Sequence, residues 1–403
     1  MHKILLLTSE YPNPDSSYDT PIIHYFTKEW VKLGVQVQVI HYRSIFPAPF
    51  YWIAFLFRRQ VKRFFGTDFI PSKRRKKVIH YELDGVSVAS VPIFKMFPHF
   101  RYSKSILNKQ INSIIKTNKH LQFSPDFIIG HFYNPQLPIV SALKSIYPCA
   151  KTCIVLHEHP LIIKRKFLKS YQSYFVNIDI WGFRFKKLKD DFEKEFGTNF
   201  KTFICYSGVP EEFIFNKIST KKFDDGITRF CFVGMLIPLK RISDIIIALN
   251  ISYPNKNFKL EIVGVGMELD NLKQLTADLN LDNNIFFLGK KSRDEVQKIL
   301  DTTQCFVMIS ESEAFGLVYL EAMSKGCITI GTRGQGIDGV IEDGKNGFLC
   351  ESKNIEELVS IINQIKSLDS SELKIISQNA IDTSVKMTDK NIAQAYLSNL
   401  IHL

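Results

Sequence analysis

"SESEAFGLVYLEAMSKGCITI", Ser310 to Ile330, carries two glutamates, Glu313 and Glu321, eight positions apart around a helix start. A Phe-Gly pair lies between them, followed by good helix formers and a β-branched run, "CITI". Upstream, "CFVMIS" is apolar enough for a central buried strand. Strand, helix and second strand make a βαβ unit, which requires a parallel sheet. In open sheets of that kind, ligands bind beyond the carboxyl ends of the strands. Glu311, Glu313 and the turn "SEAFG" fall at such an end. The helix begins near Gly316, and the first amides, Phe315 to Val318, have no intrahelical acceptor. They can donate to anionic or hydroxyl oxygens. A carboxylate accepts two hydroxyl hydrogen bonds at once, as a vicinal diol requires. A bare Glu-x7-Glu spacing is common by chance, so its surroundings must decide.

The same alternation extends in both directions. Upstream, "RFCFVGML", "FKLEIVGVG" and "NIFFLGK" read as strands, and "SDIIIALNISY", "ELDNLKQLTADLNL" and "RDEVQKILDTT" as helices. The chain also opens on βαβ: "KILLLTS", then "PIIHYFTKEWVKLG", then "VQVQVIHY". "DFIIGHF" and "TCIVLHEHP" add strands that end in loops, and "KKLKDDFEKEFG" reads as an exposed helix. The pattern is two doubly wound α/β domains in tandem. The domains expected are 1–205 and 225–380, joined by the polar stretch Ser219 to Arg229. A terminal helix, 385–403, is amphipathic and can pack back on the first domain.

Composition sets bounds. The 45% hydrophobic and 23% charged content describes a packed globular chain. Seven scattered cysteines with no CxxC pair read as free thiols in a reducing compartment, which places the protein in the cytoplasm. No signal peptide is evident, and the longest apolar run, Ile45 to Phe57, has two prolines and falls short of the ~20 residues a span needs. Net charge is +12 but uneven: residues 1–200 hold 30 Lys+Arg and 14 Asp+Glu, the remainder 22 and 26. A basic first half points to an anionic partner.

The segment "ESEAFGLVYLEAMSKGCITIGTRGQGIDGVIEDGKNGFL" resembles the signature of the family 4 glycosyltransferases, which have the GT-B fold. "FCFVGMLIPLKR" and "LEIVGVGME" are similar to that family's strand-loop and Gly-x-Gly turns. The resemblance is close over 229 to about 352 and looser before it. It implies two Rossmann-like domains facing a cleft, and transfer from a nucleotide sugar, with UDP expected, that retains anomeric configuration. Glu321 would bind ribose hydroxyls. Glu313 would bind the donor sugar, helped by the amides of Ala314, Phe315, Gly316 and Leu317, and Gly264 would line the donor. Lys240 would hold the diphosphate and offset charge on the leaving group. Met235 stands where the family has arginine, and Arg241, in place of a glycine, is a partial substitute. His131 resembles the family histidine that orients the donor sugar, and His157 falls on the acceptor side. No cofactor or metal is expected; "HEHP" does not have the helical spacing of a metal site.

The first half carries two further expectations. The loop Ser9 to Pro21 has few glycines, so Tyr11 and Ser17 are assigned to the acceptor rather than to phosphate. "FPAPFYWIAFLFRRQVKRFFG" followed by "KRRKK" joins aromatics to a basic cluster, the composition of a segment lying on an anionic leaflet. Phe50, Trp52, Arg58, Arg59, Lys62 and Arg63 would meet the membrane there. No nucleic-acid motif is present, so nucleic acid is not expected as a partner. The function expected is transfer of sugar to a saccharide or lipid-linked saccharide in surface polysaccharide synthesis, peripheral on the inner face of the cell membrane. The alternatives are a catalytically dead membrane-docking partner or a GT-B nucleotide-sugar epimerase.

Overall fold

The structure is a computed structural model; it describes residues 2–13, 21–65, 77–96, 101–215 and 221–403. Two compact units appear: residues 1–184, 188–205 and 393–403 form the first, and 185–187 and 206–392 the second. The junction at 205/206 precedes the polar stretch 219–229, and the final helix, Asp389–His402, gives residues 393–403 to the first unit.

The first unit is one eight-stranded sheet. Its strands are β1 (Lys3–Thr8), β2 (Gln36–Ile45), β3 (Ile79–Leu83), β4 (Val86–Phe94), β5 (Phe127–His131), β6 (Lys151–Leu156), β7 (Ile180–Phe183) and β8 (Lys201–Ile204). The order is β3-β4-β2-β1-β5-β6-β7-β8. All pairs are parallel except β3 with β4, an antiparallel hairpin turning at Asp84-Gly85 with both residues at positive φ. Ile4 to Leu7 and Phe127 to His131 are buried on both faces, as parallel strands under helices must be. Strand order reverses between β1 and β5, so the switch-point crevice opens beyond Thr8 and His131.

The second unit holds six parallel strands: β9 (Arg229–Val233), β10 (Lys259–Val263), β11 (Ile285–Gly289), β12 (Cys305–Val307), β13 (Ile328–Thr332) and β14 (Phe348–Cys350). Their order is β11-β10-β9-β12-β13-β14. The expected strand "CFVMIS" is shorter than its apolar run, because after Met308 the chain leaves the sheet toward the crevice. Order reverses between β9 and β12. The crevice there is bordered by the loops after Val233 and Val307, which carry Lys240 and Glu313.

Candidate active site

The loops after β9 and β12 are tied directly: the Glu311 amide donates to the Leu239 carbonyl at 2.8 Å. That bond sets Lys240 against Glu313, and the Lys240 ammonium donates to the Glu313 carboxylate. Both side chains are largely buried. A third loop, after β13, fixes the Glu313 backbone. Its amide donates to Gln335 Oε1 and its carbonyl accepts from the Gly336 amide, each at 3.0 Å. A Cβ at Gly336 would lie 2.3 Å from the Ala314 carbonyl oxygen, so only glycine permits this approach.

Beyond Glu313, none of the amides of Ala314, Phe315, Gly316 and Leu317 donates to a protein acceptor among the described residues. Gly316 is left-handed (φ +73) at the cap of the helix Leu317–Ser324. The Phe315 side chain turns into the core, leaving the turn's backbone to the crevice.

Glu321 is buried in that helix's second turn. Arg293 donates to its Oε1 from Nε at 3.0 Å and from Nη2 at 2.7 Å, and Gln297 Nε2 donates to Oε2 at 3.1 Å. The Arg293 guanidinium lies 4.0 Å over the Phe213 ring. With three of about four acceptor positions used, the carboxylate is held rigidly and one lone pair stays unused. Arg293, Gln297 and Gln335 were not singled out from sequence. They are 28, 24 and 22 residues from the glutamates they hold, and only strand order brings them close.

Two donor-side residues, Arg241 and Gly264, carry structural contacts beyond what the resemblance implies, and Met235 remains the departure seen in the sequence. Arg241 is bidentate to the buried Asp244, at 2.8 and 2.9 Å, and reaches Glu311 at 3.5 Å. Its charge is thus already matched by carboxylates. It also adopts φ +52, in the left-handed region that favours glycine. Gly264, at φ +146, is a packing glycine: an added Cβ would fall 1.8 Å from the Gly234 carbonyl oxygen. Met235 is 61% exposed and brings no charge to the crevice.

In the first unit, His131 ends β5 with no exposed surface. Its Nδ1 lies 3.0 Å from His157 Nε2 and its Nε2 lies 3.3 Å from the Tyr396 hydroxyl. Both ring nitrogens therefore face protein, and His131 does not present itself to a ligand as expected. His157 is the partly accessible ring of the pair, stacked on Phe132 at 4.0 Å. Burial, with the nearby Arg184 charge, holds both histidines well below the ordinary imidazole range, so both are neutral at pH 7. Tyr11, expected on the acceptor side, is fully buried. Its hydroxyl lies 2.9 Å from His24 Nδ1 and 2.7 Å from Thr27 Oγ1, and His24 Nε2 reaches Asp84 at 2.9 Å. Ser17 and the side chains of Lys62 and Arg63 lie outside the described residues. Trp52, Arg58 and Arg59 are exposed and Phe50 is half-buried. Among the described residues no group of three or more His, Cys, Asp or Glu side chains could hold a metal ion, and no helix is long and apolar enough to cross a membrane.

Two doubly wound units in one chain, each with a crevice at its switch point, define a GT-B fold. Residues 214–383, most of the second unit, match the family model for glycosyl transferases group 1. The chain is similar to the N-acetyl-alpha-D-glucosaminyl L-malate synthase of Bacillus anthracis, at 40% identity over 28% of this chain and 29% of the relative. It is also similar to a lipopolysaccharide core biosynthesis glycosyltransferase of Rhizobium meliloti, at 29% identity over 35% of this chain and 41% of the relative. The matched segments thus span less than half of either relative. A solved structure of an Anabaena protein, HepE, in complex with UDP, superposes at a TM-score of 0.67, with 18% identity, over 100% of both chains.

Proposed function

We propose that the chain is a glycosyltransferase that moves a sugar from a UDP-sugar to a hydroxyl of a saccharide or lipid-linked saccharide. The observation that carries this reading is the crevice between β9 and β12. There a lysine, a glutamate and four amides that meet no protein acceptor among the described residues lie at the carboxyl edge of one sheet, with Glu321 in the second turn of the helix that follows. Each group has a task in such a transfer. The diphosphate competes with Glu313 for the Lys240 ammonium, which then offsets charge as the leaving phosphate departs. Freed from Lys240, Glu313 accepts from donor-sugar hydroxyls while the helix-start amides donate to oxygens of the same donor. Glu321, oriented by Arg293 and Gln297, accepts from a ribose hydroxyl.

The remainder of the reading is finer. The anomeric configuration is retained, with the leaving phosphate taking the acceptor proton. Lys240 and the amides supply positive charge in place of a metal. His157, backed by His131, faces the acceptor. UDP is supported by the nucleotide bound to HepE, and a surface-saccharide acceptor by the lipopolysaccharide core relative. Free cysteines throughout are consistent with work at the cytoplasmic side of the membrane.

Calorimetry with UDP and a panel of UDP-, GDP- and ADP-sugars, on wild type and Glu321→Ala, tests this. Tight binding of one base class, lost in the variant, is expected. A folded chain that binds none of them overturns the reading and favours a docking partner that lost donor affinity through Met235.

A further inference from the structure

The helix Ala48–Leu56 follows the carboxyl end of β2 and contains no charged residue. Apolar on every side, it has the composition of a core helix. Yet only Tyr51 and Ala54 of its nine residues are buried. Trp52 is 69% exposed and Leu56 74%, and Ile53, Phe55 and Phe57 are exposed beside them. Arg58 and Arg59, also exposed, come next in the chain. The helix root is fixed: Phe46 packs on Phe50 at 4.8 Å, and its amide donates to the Tyr51 hydroxyl at 3.3 Å. Exposed Phe94 and Met96 extend the apolar surface, since Phe94 pairs with Ile45 in the sheet register.

We propose that this helix is an interfacial anchor, seated in the headgroup region of an anionic phospholipid bilayer with Trp52, Ile53, Phe55 and Leu56 inserted. At nine residues it is about 13 Å long, too short to span but suited to lie in the interface. An indole is an amphipathic group favoured at that depth. Charge selects the occupant. Residues 46–65 contain no acidic side chain, so a second copy pairing through this same segment offers Arg58 and Arg59 no counter-charge, whereas an anionic leaflet neutralises them. Position adds a reason. β1, β2, β5 and β6 are parallel, so Ile45, His131 and Leu156 end at one edge of the sheet. An anchor after Ile45 places lipid at the edge that carries His157, where a lipid-linked acceptor would be presented.

The chain's own tryptophans supply the assay. Of three, Trp30 and Trp181 have no exposed surface, so only Trp52 reports on its surroundings. The full chain is mixed with phosphatidylglycerol or phosphatidylcholine vesicles. Co-sedimentation, emission and acrylamide quenching are read, with UDP calorimetry run separately. With phosphatidylglycerol, the emission moves to the blue, quenching falls and the protein sediments. Trp52→Phe abolishes the spectral change and keeps sedimentation. Arg58→Ala with Arg59→Ala weakens binding about 25-fold, at about fivefold per basic residue. Phe55→Ser with Leu56→Ser, both at exposed positions, abolishes sedimentation. Equal binding to phosphatidylcholine overturns the anionic surface. Quenchable Trp52 in the presence of vesicles overturns insertion. Dimers that vanish in the Phe55/Leu56 double variant, with no vesicle binding, give the patch to a second copy instead. None of these outcomes touches UDP binding, so failure here is separable from failure of the transfer reading.

Discussion

Arg293→Met isolates what holds Glu321 in place. Arg293 donates twice to one oxygen of a carboxylate whose side chain is 7% exposed, while its own is 30% exposed. A hydrogen bond to a charged group contributes about 1.5–3 kcal/mol. Partial exposure of the guanidinium screens the pair, and the two bonds share one acceptor, so about 2 kcal/mol is reasonable. Methionine keeps apolar cover on Phe213 but forfeits the cation–π contact, about 0.5 kcal/mol more. A loss of about 2–3 kcal/mol lowers Tm by about 5–10 °C for a unit of this size. Glu321→Gln removes the charge that Arg293 serves. The double variant is therefore expected to be more stable than the sum of the single losses, by about 1–2 kcal/mol. Thermal and urea denaturation of the four proteins read this coupling. UDP affinity is expected to fall about tenfold in Arg293→Met, 1.4 kcal/mol. Strict additivity of the two stability losses, or unaltered UDP affinity at reduced stability, refutes the idea that Arg293 orients the carboxylate.

Met235→Arg restores a cation at an exposed position with nothing to displace, and calorimetry is expected to show UDP binding about fivefold tighter, or about 1 kcal/mol; unchanged affinity refutes a phosphate role for this position. Gly264→Ala meets the Gly234 carbonyl at 1.8 Å and is expected to cost about 3 kcal/mol or more in urea denaturation. Gly289→Ala, at φ +69 with no atom within 4 Å of the added Cβ, costs about 1–2 kcal/mol, and equal losses at the two sites refute the packing argument. Burial, with the Arg43 charge adding to it, pushes the His41 imidazole down to about 4 from 6.5. Between those values the unfolded chain binds the extra proton, so stability is complete above about pH 6.5 and declines toward pH 4, by about 3 kcal/mol from His41 alone. His131 and His157 are shifted the same way and steepen the loss. Chemical denaturation from pH 7.5 to 4.5 measures it, and a flat profile, or one unchanged by His41→Gln, refutes it.

The sheets were legible because parallel strands covered on both faces must be continuous apolar runs. "KILLLT", "FIIGH" and "CITIGT" announced themselves, and strand–helix alternation did the rest. The hairpin of β3 and β4 was missed: it is antiparallel at the sheet's edge and half polar, so it carries neither signal. That Lys240 and Glu313 come together was legible through the resemblance, which names a position in each of the two loops that meet at this crevice. Their partners were not. Arg293 and Gln297 belong to an amphipathic helix, Arg293–Thr302, that looks ordinary in one dimension. Gly264 and Arg241 show the opposite failure. The motif named the positions, but what decides their work is a carbonyl that an added Cβ at Gly264 would meet at 1.8 Å and a buried aspartate beside Arg241, and neither is visible in a string of letters. His131 does end its strand as expected, but its ring is covered because Nε2 faces the Tyr396 hydroxyl, from a residue 265 positions away.

Residues 393–403 complete the first unit, and that has a consequence for how the chain folds. The Trp30 indole donates to the Ala393 carbonyl at 2.8 Å, Lys151 donates to the Ile401 carbonyl at 2.9 Å, and Tyr396 closes over His131. During synthesis at about 5–20 residues per second, roughly 190 residues of the second unit emerge before those partners exist. For about 10–40 seconds the first unit has an uncovered strip along Trp30 and His131, and the second unit is itself completed only at residue 392, where the Val209 amide meets the Met387 carbonyl. The two units are therefore closed almost together, by one continuous stretch of chain: residues up to 392 finish the second unit and the eleven that follow finish the first.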